Sequence, residues 1–169
     1  DDWQSIYRFA GGKLELTTRF ESLVGTYSET KLQKTFRYNN SIASTAGQFI
    51  MENPEQYTKY IDTHKVVDTS QVYLLDDKIG NNDGLYKRVY EVIQKISEND
   101  SQGTIAIIAR YNYLLEDSKQ YLKPTSITNK VKFWSYHRSK GLEADYCILI
   151  GFFQGKSGFP NENRNQAVI

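Results

Sequence analysis

The sequence predicts an α/β domain built on a mostly parallel sheet. Short runs of strand length alternate along the chain with helical stretches of ten or more residues, the order that parallel strands joined by crossover helices produce. One run, TIAIIAR (104–110), is continuously apolar and rich in β-branched residues, as expected of a strand buried on both faces. No repeat, low-complexity tract or proline-rich linker offers a competing organisation, and 169 residues suffice for one substantial core.

Taken in order, LELTTRFESLV (14–24) has helical apolar spacing at Leu16, Phe20, Leu23 and Val24 and is expected to stop at Gly25. TKLQKTF (30–36) alternates as a strand. NNSIASTAGQFIMEN (39–53) follows as a helix whose cap is Asn39, Asn40 or Ser41. KVVDTSQVYLL (65–75) reads as extended, and the Asn/Asp/Gly cluster DDKIGNNDG separates it from the helix GLYKRVYEVIQKIS (84–97). After TIAIIAR comes the helical YNYLLEDSKQYL (111–122), and then two more strands, VKFWSYH (131–137) and DYCILIGF (145–152). In such sheets ligands sit at the carboxyl ends of the strands, where the polar stretch SYHRSKGLEAD lies.

Twenty-one Lys and Arg against twenty Asp and Glu leave a formal charge of +1, so no global basic field exists and any polyanion contact must be local. The single cysteine, Cys147, excludes a disulfide framework and a cysteine-rich metal site. Its place inside YCILI predicts a small buried core residue, and a reducing, cytoplasmic setting fits. No stretch approaches the roughly 20 apolar residues of a membrane span, and the opening residues carry no charged-then-apolar leader, so the expectation is a soluble protein with no membrane partner.

GFFQGKSG (151–158) invites a phosphate-loop reading through Gly151, Gly155, Lys156 and Ser157. The signature needs four residues between its glycines and a helix starting at the lysine; here three intervene, and Gly158 and Pro160 predict a loop. The expectation is a strand-exit turn, with no nucleotide hydrolysis by this chain alone.

Four separated stretches resemble the motifs of the UvrD/Rep-type superfamily 1 DNA helicases. DDWQSIYRFAGG (1–12) resembles motif III, and KTFRYNNSIASTAGQFI (34–50) resembles motif IV, an aromatic-Arg pair leading a helix. TIAIIARYNYLL resembles the next block, a strand ending in Arg and Asn; SYHRSKGLEADYCILIGF (135–152) resembles motif V. The resemblance implies a RecA-like second motor domain, with a mostly parallel sheet, helices on both faces and no Walker loop of its own. Residues 1–25 would form the motif III edge of the first motor domain, and 26–169 the second, short of motif VI. About twenty residues separate the ARYN block from motif V, where many relatives carry an accessory domain.

The same resemblance implies ATP with magnesium, the magnesium held by the first motor domain, and translocation 3′ to 5′ along single-stranded DNA. Arg37 would offer the permanent, two-pronged cation that phosphoryl transfer uses; without the resemblance it reads as a solvated surface arginine. Phe36 would stack on adenine, or else belong to the core. Gln4 would link the γ-phosphate to the DNA track, since an amide can both donate and accept. Gly141 and Glu143 would lie on the nucleotide side, the glycine admitting close approach and the carboxylate accepting from a ribose hydroxyl. Tyr7 and Phe9 would stack bases, although Ala10 stands where many relatives have arginine. Arg110, Ser135, His137 and Lys140 would meet the DNA backbone; on its own the 135–143 stretch reads as an ordinary polar βα loop. His64, in a loop without partners, reads as solvated. Two other readings fit the same residues: a non-catalytic RecA-like interaction module, and the motor part of a helicase-nuclease.

Overall fold

The computed structural model describes residues 13, 15–30, 32–52, 54, 58–75 and 82–151. By its internal contacts the chain divides into two compact units, one up to Leu74 and the other from Leu75. The expected phosphate-loop decoy beyond Gly151, and Gln4, Tyr7, Phe9 and Ala10 of the motif III stretch, lie outside the described residues.

In the first unit two short helices, α1 (Glu15–Thr18) and α2 (Phe20–Val24), precede a strand β1 (Lys34–Asn39), a helix α3 (Asn40–Met51) and a strand β2 (Asp62–Lys65). The single helix expected over 14–24 is broken at Arg19, whose φ of −125° and ψ of 30° leave the helical region and whose carbonyl accepts from Ser22 Oγ at 2.8 Å. A serine hydroxyl that reaches back to the backbone competes with helical continuation. The chain then turns at Gly25, where φ is +96°.

β1 and β2 pair in parallel, and β1 starts four residues later than its expected position. The three candidate caps of α3 divide the work. Asn39 is the cap, its side chain accepting from Ile42 N at 3.1 Å. Asn40 instead clasps the backbone of Val67, donating to its carbonyl at 3.0 Å and accepting from its N–H at 2.8 Å, while Ser41 Oγ accepts from Gln71 N at 2.9 Å. That explains the correction at 65–75: the strand lies at 62–65, and residues 66–75 are irregular backbone held by the first turn of α3 rather than by a neighbouring strand.

The second unit contains α4 (Asn82–Asn99), β3 (Ile105–Ala109), α5 (Asn112–Leu122), β4 (Val131–Ser135) and β5 (Tyr146–Ile150). Its sheet is wholly parallel in the order β4-β3-β5, in register from Ile105 opposite Val131 and Tyr146 to Ala109 opposite Ser135 and Ile150. The chain steps from β3 to one side and then jumps to the other, so β3 is the central strand and its carboxyl end is the topological switch point. All five residues of β3 are buried. Val89 and Ile93 of α4 and Leu114, Leu115 and Leu122 of α5 complete the core.

The YCILI run does not repeat the burial of β3. In β5 every second residue turns outward, leaving Cys147 exposed and Leu149 55 % accessible. The core assignment of Cys147 is thereby corrected: β5 pairs with β3 alone among the described residues, and one of its faces is open. Desolvation pushes the Cys147 thiol up, so it is held protonated rather than activated as a nucleophile.

Candidate functional site

On the first unit the residues of interest sit on β1. Between the pairs Thr35–Thr63 and Asn39–Lys65, four residues of β1 span what two span on β2. A register shift of this kind suspends the strict in-out alternation of a strand. Its result is that the consecutive Phe36 and Arg37 are both exposed, Phe36 to 64 %. The core alternative for Phe36 therefore does not hold within its own unit. Its ring lies 5.0 Å from that of His64, and Lys34 Nζ stands 5.9 Å from its centroid. His64 is exposed as expected, but it is a strand residue with a partner, Phe36, and not a partnerless loop residue; the parallel pairing that brings them together joins segments whose separate sequences do not name each other.

On the second unit six of the expected residues lie at the carboxyl edge of the sheet or on the link that leaves it. Arg110 is exposed directly after β3, and Ser135 is the last residue of the neighbouring β4. The turn beyond is fixed to the central strand, since Tyr136 N donates to Ala109 O at 3.1 Å. It is then wound tightly: Ser139 N donates to Ser135 O at 2.9 Å, Ser139 Oγ to Tyr136 O at 2.8 Å, and Leu142 N to Ser139 O at 3.0 Å. Ser135 Oγ also accepts from Arg138 N at 3.4 Å, so its hydroxyl already has a local backbone contact. His137 and Lys140 stand exposed on this turn. Gly141 closes it at φ +80° with open space around the place of a Cβ, so backbone conformation, not crowding, calls for glycine there. Glu143, also exposed, follows on the way back to β5.

Two residues of this edge escaped the sequence reading. Arg138 adds an exposed cation between His137 and Lys140. Tyr136 turns inward, and burial pushes its phenol up to about 12 although the nearby Arg110 charge pulls the other way. The signal available was an aromatic residue immediately after a strand end, which is too common to single out. Among the described residues no group of three or more His, Cys, Asp or Glu side chains could hold a metal ion, and no helix is long and apolar enough to cross a membrane.

Comparison with known proteins agrees with these motifs. The family described as the UvrD-like helicase C-terminal domain matches residues 10–167. DNA helicase IV of Escherichia coli (strain K12) is 33 % identical over 161 residues, which is 95 % of this chain and 22 % of that relative, so the chain spans about a fifth of its length. No solved structure matches. With an α/β architecture of parallel sheets and a match running nearly end to end, this chain belongs to the UvrD-like helicase C-terminal domain family.

Proposed function

We propose that the chain is the second motor domain of an ATP-dependent DNA helicase that moves 3′ to 5′ along a single strand, and that residues 1–25 belong to the edge of the first. ATP would meet Phe36 with its base and Arg37 with its phosphates, with Gln4, Gly141 and Glu143 as further nucleotide-side contacts. Arg37 acts as the arginine finger: water attacks the γ-phosphorus in line with the departing ADP, and the guanidinium offsets charge that grows on the equatorial oxygens. Magnesium would supply charge neutralisation at the phosphates, and in this proposal its ligands come from the first motor domain. Arg110, Ser135, His137 and Lys140, with Tyr7 and Phe9, form the single-strand track.

The observation that supports this reading best is the register shift in β1, along which the consecutive Phe36 and Arg37 are both exposed on one strand. An aromatic face suits a base and a forked cation suits a phosphate.

In the full-length protein, Arg37→Ala is expected to lower the DNA-stimulated ATPase rate by about a thousandfold while ATP binding stays measurable. Arg37→Lys is expected to recover little of it, because an ammonium cannot contact two oxygens in fixed geometry. A rate within a few-fold of wild type for Arg37→Ala would remove Arg37 from the role.

A further inference from the structure

Directly after β3, the chain reads Arg110, Tyr111, Asn112, Tyr113, at the switch point of the sheet. The two tyrosine rings are stacked, with centroids 5.8 Å apart and planes 19° from parallel. Tyr111 is partly buried and packs against the core cluster, whereas Tyr113 is 46 % exposed. The guanidinium of Arg110 stands 5.9 Å from the Tyr111 centroid. α5 turns Leu114, Leu115, Ser118 and Leu122 into the core, and Tyr113 lies off that face. An anchored ring thus carries a second ring whose outer part is open to solvent.

The surroundings select the ligand. Tyr136 N–H binds the carbonyl of Ala109, the residue just before Arg110, and so brings the turn with exposed His137, Arg138 and Lys140 to the same edge. Glu143 is the acid that follows in that link. An exposed aromatic ring at the same sheet edge as the cationic Arg138 and Lys140 matches a polyanion that also offers flat apolar faces. Duplex bases already stack on each other, so the fit is to a single strand. Stacking is indifferent to base identity, while the cations take the phosphates.

We propose that Tyr113, seated on Tyr111, is a base-stacking step for single-stranded DNA at the carboxyl edge of the sheet. This rests on the reading of that edge as a single-strand track, and adds a contact to bases where that reading names contacts to the backbone. Tyr111 is the positioning residue: it fixes the plane in which Tyr113 meets a base.

The test is fluorescence anisotropy on the full-length protein with a labelled oligothymidylate and an abasic strand of equal length, each over a range of salt concentrations. Tyr113→Ala is expected to weaken oligothymidylate binding about tenfold, leave abasic-strand binding unchanged and leave the salt slope unchanged. Tyr113→Trp is expected to restore binding. Lys140→Ala is expected to weaken both strands alike and to lower the salt slope by about one. If Tyr113→Ala weakens both strands equally, or neither, while Lys140→Ala behaves as stated, the stacking step is wrong and the track stands. If neither variant changes binding, the track reading falls and takes the stacking step with it.

Discussion

The two edges of the three-stranded sheet are built on opposite plans. At the amino edge the polar groups are spent on one another. Asn129, only 6 % exposed, donates to the carbonyls of Asp100 and Gly103 at 2.8 and 2.7 Å and accepts from the Ser97 hydroxyl. Asp145 Oδ2 accepts from both the backbone N–H and the hydroxyl of Thr104, at 2.8 and 2.7 Å. At the carboxyl edge the backbone of the turn is satisfied locally, and its side chains His137, Arg138 and Lys140 are exposed. The two tyrosines register the contrast. Tyr146 is raised first by desolvation and further by Asp100 and Asp145, whereas Tyr136, raised by desolvation, feels Arg110 in the opposite sense. One edge engages its carboxylates in hydrogen bonds within the unit; the other holds exposed Arg138 and Lys140, with Glu143 following. A parallel sheet has chemically distinct ends, so a single layer can be clamped at one and offer a working surface at the other.

The comparison breaks most readily at Asn129. Asn129→Leu keeps the volume but leaves two carbonyls of the 100–103 turn without donors, and is expected to lower unfolding free energy by about 3 kcal/mol in urea denaturation. Its effect on the carboxyl edge should be nil, read as an unchanged salt slope for single-strand binding under native conditions. A loss below about 1 kcal/mol would mean that water replaces the clamp.

Gly151 sharpens the contrast by showing that the open edge has structural members too. It leaves β5 at φ +88°, and a Cβ there would come within 2.7 Å of Leu114 Cδ1. Gly151→Ala combines left-handed strain with crowding of the core and is expected to cost about 2 kcal/mol in the same measurement.

A further expected effect is confined to alkaline pH. Because the Tyr136 phenol ionises only at about 12 in the folded chain and near 10 when unfolded, its contribution is fully present below pH 10 and is lost as pH rises towards 12. Tyr136→Phe removes that contribution, so its stability should fall less steeply than wild type across this window. Identical slopes in alkaline urea titrations would show that Tyr136 is as hydrated as any surface tyrosine.

The order of strands and helices was legible because periodicity reports how many faces of an element are buried, but only against a known neighbour. IAIIA and YCILI are indistinguishable as apolar runs, yet the first is central and closed while the second alternates inward and outward. Position in the sheet decided this, and position is a property of pairing. The segment 65–75 was misplaced for a related reason: Asn40 and Ser41 hold its backbone from 27 and 30 residues away, through contacts no local pattern encodes. Of the candidate site, the motif V turn and Arg110 were readable because both follow strand ends in chain order. His64 against Phe36, Tyr113 against Tyr111 and the inward Tyr136 depend on register, helix phase and turn geometry, which appear only once the chain is folded.

The Asn129 clamp also sets a clock. Gln102 and Gly103 N–H both donate to the Asp100 side chain, at 3.1 and 2.8 Å, inside a turn whose carbonyls are gripped by Asn129. A surface turn ordinarily frays by itself and exchanges its amide hydrogens quickly. Here the turn that carries the Gly103 amide is gripped by a residue 26 to 29 positions along the chain, so fraying of the turn is expected to require Asn129 to let go as well. Deuterium uptake at that amide should therefore follow that of β3, and this short loop would report the opening of the whole unit.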